Sequence, residues 1–479
     1  MSFLNKLWIA LLFTVVILPL SCNVSAALAS PIDVNGGVMN EYEYKEIFFL
    51  TGTPTEFSGK AVITEKENKG TVTRNYRFTL TSKAGDKLTR SVNYVATINE
   101  HEGKGQTTSQ FEVKSYSEKV TFGKRTYTLA DFQYSEGSVS DNLPASSFYS
   151  GNMVGRKIYK FVDTEIKDNV GYDITVHLHG RNMGYKNFWG ATETQLIDSE
   201  IITPNGSGLV TSKASDSKSR VLVYEPFDPS LSSFTGGHSV VSSSDMVSEY
   251  TYNIPFGAGS GTIELQKKNT PKIERLIVPK FRDLDRHQAK DAIQKLYSLG
   301  IFDENSQFFS PNTPMKRYQY TVGILKAVDL RVLEEPKKSK VPRVPIFADL
   351  STKDPDYMYI ESAVEQGIIT GVTPDSFEPD SPITRVQAIA ILVRALGMEG
   401  RAPSPGFKTQ YVDDYKISDW AKDSVYVATE LGLVRGNEHN QFNPKQQLTR
   451  AQAALITSRF LDFLENDLKQ NYRDDIFFQ

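Results

Sequence analysis

Apolar residues in the first half of the chain recur at every second position. In Tyr76-Arg77-Phe78-Thr79-Leu80, and again at Val92, Tyr94, Ala96 and Ile98, one side of an extended chain is apolar and the other polar. That period predicts strands with one buried and one wet face. Turn-rich breaks at Lys83-Ala84-Gly85-Asp86 and Glu102-Gly103-Lys104-Gly105 separate the runs. Further runs at 157–161, 173–178, 194–201, 220–224, 248–254 and 261–265 extend the series. Residues 31–270 therefore read as an N-terminal all-β domain, a sandwich, barrel or extended antiparallel sheet.

Beyond the polar, basic connector at 266–272 the spacing changes to three and four, and the chain begins to repeat. An aromatic-x-Asp word starts at Phe281, Phe347 and Tyr411, separated by 66 (347 − 281) and 64 (411 − 347) residues. An aromatic-x-Pro turn then precedes an arginine by eight residues in each copy: Phe309 to Arg317, Phe377 to Arg385 and Phe442 to Arg450. Each copy reads as helix, loop, helix. The first helix carries Ile293, Leu296 and Tyr297, then Ile360, Ala363 and Val364, then Val425 and Ala428. The second carries Tyr320, Ile324, Ala327 and Val328, then Ala388, Ile391, Leu392, Ala395 and Leu396, then Ala453, Ile456, Phe460 and Leu461. Two short amphipathic helices cannot bury their faces alone, so residues 281–333, 347–399 and 411–465 are expected to pool them in an all-α three-repeat bundle. Proline-rich joints at 334–345 and 401–406 connect the copies.

Composition narrows the class. With 54 basic and 57 acidic residues the formal charge is −3, which gives no general reason to expect nucleic acid as a partner. Lys6, the apolar run from Leu7 to Leu20 and the small-x-small Ala27-Leu28-Ala29 read as a signal peptide over 1–29. The run is shorter than a bilayer span, so no membrane span is expected in the mature chain. The single cysteine, Cys22, lies within that segment, where Pro19-Leu20-Ser21-Cys22 faintly resembles a lipoprotein box. No nucleophile elbow, phosphate loop or His-Glu-x-x-His word occurs, so neither catalytic residues nor a cofactor is assigned. His177 and His179 share a strand face, with His238 the tempting third ligand, but they read as polar sheet residues rather than a metal site. Phe188-Trp189-Gly190 could face carbohydrate, though aromatic strand residues more often pack in a core.

The repeated arginine is harder to explain. Thr384 with Gln387, and Thr449 with Gln452, have capping-box spacing, which accounts for the threonine and the glutamine. An arginine at N1 opposes the helix dipole at a cost of a few tenths to about 1 kcal/mol. Two readings are open. The guanidinium holds an external anion at the helix N-terminus, or it pairs with Asp283, Asp349 or Asp413 of a neighbouring copy.

Together, aromatic-x-Asp, Gly-Ile-Ile-x-Gly (Gly367 to Gly371) or Gly-Leu-Val-x-Gly (Gly432 to Gly436), Phe-x-Pro and Ile-Thr-Arg-x-Gln resemble the surface-layer homology (SLH) domain over residues 281–465. The resemblance implies a pseudo-threefold bundle that docks exported bacterial proteins onto a secondary cell-wall polysaccharide, often bearing ketal-linked pyruvate. By position it assigns the anion contacts to Arg317, Arg385 and Arg450, the early aspartates to Asp283, Asp349 and Asp413, a sugar-stacking platform to Trp420 and loop glycines to Gly371 and Gly436. Lys316, Thr384 and Thr449 complete the set. Repeat one departs with Lys316 for threonine, Gln288 opposite Trp420 and Glu304 for the loop glycine; repeat two has Pro355 opposite Trp420, with Tyr357 and Tyr359 close by. Repeat three is thus expected to be the strongest site and repeat one the weakest. The reading is an extracellular, wall-anchored protein that displays its β domain. Its alternatives are an exported glycoside hydrolase or esterase on the same anchor, and a surface-layer or adhesin subunit, with surface-layer proteins as further partners.

Overall fold

The computed structural model describes residues 38–39, 43–68, 70–101, 105–166, 171–225, 237–268, 270–303, 306–329 and 344–468. The expected signal peptide with Cys22, Glu304 and residues 334–343 of the first joint lie outside these residues.

The alternating half folds into one antiparallel meander. Its strands are β1 (Val38–Met39), β2 (Tyr44–Phe48), β3 (Thr55–Asn68), β4 (Thr71–Ser82), β5 (Lys87–His101), β6 (Gln106–Phe122), β7 (Arg125–Leu143), β8 (Ser146–Asp163), β9 (Tyr172–Asn187), β10 (Gly190–Thr203), β11 (Gly206–Glu225), β12 (Gly237–Ile254), β13 (Gly259–Lys268) and β14 (Lys272–Arg275). Each strand from β1 to β13 pairs with the next, and β14 returns to β12. Register shifts at Asn93/Tyr94 and Leu129/Asp131 add local bend to a sheet whose native twist already curls it. The ends of the meander meet. Phe49, just after β2, packs its ring 5.7 Å from both Tyr250 and Tyr252 of β12, and Ala258 N donates to Gly52 O at 2.8 Å. Gly52 and Gly257 abut so closely that a Cβ on Gly257 would collide with the Gly52 carbonyl. Of the three all-β options, the chain adopts a nearly closed barrel.

Alternate side chains of the strands fill the interior, although the far half of β3 is exposed on both sides. Phe48, Phe57, Phe122 and Tyr127 form a mostly edge-to-face aromatic cluster, with Phe48 and Phe122 tilted at 35°. Beside it lies a buried ionic chain: Arg90 grips Glu46 through two bonds of 2.8 Å and Glu118 at 2.9 and 3.1 Å, while Lys157 stands 3.7 Å from Glu118. Burial alone would raise the Glu118 pKa, but Arg90 and Lys157 outweigh it and hold the carboxyl at about 2.

The helical half contains α1 (Lys290–Ser298), α2 (Arg317–Ala327), α3 (Tyr357–Glu365), α4 (Arg385–Leu396), α5 (Asp419–Glu430) and α6 (Arg450–Asp462). The second helix of each copy packs on the first helix of the next, α2 on α3 and α4 on α5, and α6 closes the ring on α1. Ile293, Leu296, Ile360, Ala363, Val425, Ala428 and the apolar face of each second helix are buried in one core.

The bundle is not purely helical, which corrects the all-α expectation. Isolated antiparallel bridges join Pro314 to Thr449, Lys316 to Pro382 and Thr384 to Gln447. Met315 N donates to Leu448 O (2.8 Å), Leu448 N to Ile383 O (3.0 Å) and Ile383 N to Met315 O (2.9 Å). This triangle of extended backbone lies two residues before each arginine. It satisfies amides that no helix could reach.

The barrel docks on the bundle. Trp189, with Phe188 beside it and Ala145, is packed into the helical core, so this aromatic pair serves packing rather than a sugar face. Asn187 Nδ2 donates to Leu464 O at 2.9 Å, and Leu222 N to Glu465 Oε1 at 3.2 Å. Gly397, the left-handed C-cap of α4, lies so close to Leu143 and Pro144 that a Cβ there would come within 3.1 and 2.9 Å of them. These contacts gather at the C-terminal ends of α4 and α6. The arginines begin those helices at the opposite end, about 18 Å away for the twelve residues of α4.

Candidate functional site

Arg317, Arg385 and Arg450 each occupy N1 of a second helix. Thr384 and Thr449 form complete capping boxes with Gln387 and Gln452. Lys316 cannot cap and instead makes an exposed 2.7 Å pair with Asp380, an arrangement worth little. The helix amides are not offered to an anion, which corrects the dipole argument made from sequence. Arg317 N and Tyr318 N donate to Ser381 O and Pro379 O, Arg385 N and Val386 N to Gln446 O and Pro444 O, and Arg450 N and Ala451 N to Thr313 O and Pro311 O. Each second helix is thus stitched to the Phe-x-Pro turn of the following copy, the third returning to the first.

The guanidiniums follow the same cyclic order. Arg317 lies 4.8 Å over the Phe377 ring and donates Nη2 to Thr370 O at 2.8 Å. Arg385 lies 5.2 Å over Phe442 and donates Nη2 to Arg435 O at 2.7 Å. Arg450 lies 4.6 Å over Phe309 and donates to Phe309 O (2.8 Å), Gln319 Oε1 (3.2 Å) and the Tyr297 hydroxyl (3.2 Å). No ion pair joins Arg317 or Arg385 to a carboxylate of the described residues. Nε of each is buried without a partner, and burial lowers both pKa values from the ordinary arginine value. A guanidinium remains charged through such a shift.

The aspartates do not pair with these arginines. Asp283 accepts from Phe309 N and Ser310 N at 2.9 and 2.6 Å, Asp349 from Phe377 N and Glu378 N at 2.9 and 2.7 Å, and Asp413 from Phe442 N and Asn443 N at 2.7 and 2.9 Å. In each turn the residue after phenylalanine has a positive φ: Ser310 58°, Glu378 57° and Asn443 55°. The carboxylate holds a strained turn whose ring carries the arginine. Partial burial raises the Asp283 and Asp349 pKa values, and the turn amides more than reverse this, leaving both below the ordinary carboxylate value.

Gly371 follows Thr370, the carbonyl anchor of Arg317, and a Cβ there would sit 2.6 Å from the Phe347 ring and 2.7 Å from Ser376 O. Gly436 follows Arg435, the anchor of Arg385, with Asn440 Oδ1 2.9 Å from its would-be Cβ. Trp420 is half exposed and lies 5.8 Å from the Arg394 guanidinium, nine residues further along α4 than Arg385 (394 − 385), a rise of about 13 Å. The platform and the arginine therefore occupy opposite ends of the α4/α5 groove. The sequence reading missed Arg394 and its counterpart Lys326, which lies 5.8 Å over the Tyr359 ring. The same offset of nine (326 − 317) was the available signal. Tyr357 is buried, and its hydroxyl accepts from Ile346 N at 2.8 Å, a structural duty.

The Arg450 groove, expected to be impaired by repeat one, opens into a cleft of about 70 Å³ lined by Tyr297, Phe309, Tyr318, Gln319, Lys326 and Arg450. His177 and His179 face outward, and no group of three His, Cys, Asp or Glu among the described residues could hold a metal ion. No described helix is long and apolar enough to cross a membrane.

The family described as "S-layer homology domain" matches residues 280–321, 346–389 and 410–454. The chain is 32% identical over 208 residues to "Amylopullulanase" of Thermoanaerobacterium thermosulfurigenes (43% of this chain, 11% of the relative). It is 31% identical over 211 residues to "Exoglucanase XynX" of Acetivibrio thermocellus (44% and 18%), and 28% identical over 179 residues to "Surface-layer 125 kDa protein" of Lysinibacillus sphaericus (36% and 14%). The matches thus span less than a fifth of each of these relatives. Residues 280–321, 346–389 and 410–454 are thus three tandem S-layer homology domains, which indicate an extracellular, cell-wall-associated protein.

Proposed function

We propose that the helical bundle anchors the barrel to the cell wall by binding an anionic wall polysaccharide, its acidic group a ketal-linked pyruvate. The observation that carries this reading is the state of Arg317 and Arg385. Each guanidinium is fixed by a carbonyl and an aromatic ring, and neither has a carboxylate partner within the described residues. A partly desolvated cation held in place without a counter-charge is suited to an anion from outside. The free Nη1 edge of each supplies the donor, and Trp420 and Tyr359 offer stacking faces at the far ends of their grooves. Placement supports the same use: the barrel docks at the ends of α4 and α6 away from the arginines, so wall and barrel can be engaged together.

The test is co-sedimentation of the full chain with purified walls. Arg317→Gln with Arg385→Gln should lower wall affinity at least about tenfold with unchanged folding, since each lost charge-assisted bond is worth about 1.5–3 kcal/mol. Undiminished binding would remove the arginines from the site.

A further inference from the structure

β11 and β12 run on past the strand beside them. β10 leaves β11 at Gly190, opposite Ser219, while β11 continues against β12 with Leu222 opposite Val240 and Tyr224 opposite His238. Alternation puts these four side chains on one face. The bundle is applied to that face at Leu222, which packs against the helical core and whose N donates to Glu465 Oε1 at 3.2 Å. His238 stands at this joint. It is 9% exposed, its ring lies 5.1 Å from that of Tyr224, and its carbonyl accepts from Leu276 N, where the chain enters the bundle, at 2.9 Å.

Nδ1 of this ring is buried without a hydrogen-bond partner. The charged groups around it come from several elements. α1 brings Asp291 and Lys295, four residues apart on one helix face, into electrostatic reach. Lys295 is itself only 14% exposed and already paired with Asp462, at the end of α6, at 2.5 Å. β11 places Glu225 opposite Gly237, β14 places Arg275 opposite Ser239, and Glu465 is committed to the Leu222 amide. A neutral imidazole suits such a joint. An imidazolium does not, because it would be desolvated beside a lysine whose counter-charge is taken, with Asp291 offsetting only part of the repulsion.

We propose that His238 is a proton-operated latch between barrel and bundle: neutral, it allows β11 and β12 to seat against α1 and the end of α6, and protonated, it loosens that seat. In support, burial first and then Lys295 lower its pKa from the ordinary 6.5, while Asp291 restores part of the loss. A group whose docked pKa lies below its free value supports docking above pH 6.5 and withdraws that support as the pH falls through the docked value. Arg317 and Arg385 keep their charge over this range, so acid would free the barrel without discharging the arginine face of the bundle.

The test is hydrogen exchange of the full chain between about pH 7.5 and 5.5, read at the Leu222 amide, whose bond to Glu465 exists only in the docked form. Once the intrinsic pH dependence of exchange is divided out, a fixed joint gives constant protection. The latch predicts protection at least about threefold lower at the acid end. His238→Phe keeps a ring against Tyr224 and removes the titration, so protection should no longer depend on pH. Lys295→Met removes the opposing charge and leaves Asp462 free to meet an imidazolium, so protection should hold or rise on acidification. Titration of the His238 ring itself, followed by NMR in the wild-type chain, should give a value below 6.5 and needs no variant to fold. Constant protection in the wild type, a fall that survives in His238→Phe and so belongs to another group such as Glu193, a fall in Lys295→Met equal to that of the wild type, or a His238 value at or above 6.5 would each overturn the assignment.

Discussion

Asp413 separates two roles that the sequence could not tell apart, ligand contact and turn clamp. It is 2% exposed, and its two oxygens accept from Phe442 N and Asn443 N at 2.7 and 2.9 Å. Asp413→Asn keeps one acceptor and turns an NH₂ group toward the other amide. One charge-assisted bond, about 1.5–3 kcal/mol, is lost, and a buried N–H is left unpaired at about 1–3 kcal/mol. The turn it holds has Asn443 at φ 55° and supplies the Pro444 and Gln446 carbonyls that accept from Val386 N and Arg385 N. The bundle should therefore lose about 3 kcal/mol, read as a lower urea midpoint in the full chain by tryptophan fluorescence, since Trp189 and Trp420 both report on the bundle. Asp380→Asn, which removes only an exposed pair with Lys316, should change the stability by less than about 0.5 kcal/mol and leave the midpoint nearly unmoved. An unchanged midpoint in Asp413→Asn together with a large loss of wall binding would refute the clamp and return the carboxylate to the ligand.

Replacing Arg90 by methionine strands Glu46 and Glu118 inside the barrel and should cost about 3–5 kcal/mol at neutral pH; a loss below about 1 kcal/mol would show that the ionic chain is dispensable. Because Glu118 is held at about 2 in the folded chain against 4.5 unfolded, its contribution is present above pH 4.5 and disappears as the pH falls through 2. Urea midpoints should show a term of about 3 kcal/mol over that window, absent in Glu118→Gln. Glu193 has the opposite sign: raised to about 7, first by burial, it disfavours folding above that pH and releases the penalty as the pH falls toward 4.5, so Glu193→Gln should stabilise the barrel at pH 8 and leave it unchanged at pH 4. Gly371→Ala drives a Cβ against Phe347 and the loop backbone beside the Arg317 anchor, and should lower both the bundle's thermal midpoint and wall binding.

Much of the bundle was legible because its information is local and repeated. The eight-residue step from aromatic to arginine, the capping pairs at Thr384 and Thr449 and the three-to-four spacing of buried residues all correspond to elements of the structure. Backbone partners were not legible. Nothing in Met315, Ile383 or Leu448 announces a hydrogen-bonded triangle, and nothing at Arg385 announces that its own amide is taken by Gln446. In the barrel, strands were underestimated where the inward side is small and polar. The run read at 220–224 is the end of a strand that starts at Gly206, and its Ser212 and Ala214 give little contrast with the outer face. The ion pairs within the barrel were invisible for a related reason: Glu46, Arg90 and Glu118 stand on inward positions that a two-letter apolar/polar pattern assigns to solvent.

The proposed anchoring through a pyruvylated wall polysaccharide is decided by titrating the full chain with purified wall polymer, intact and after mild acid treatment that removes ketal-linked pyruvate, at low and high salt. The intact polymer should bind, with affinity that falls as salt rises and falls at least about tenfold when the acidic group is removed or when Arg317 and Arg385 are both glutamine. Equal affinity for intact and acid-treated polymer, indifferent to salt and to both arginines, would contradict it.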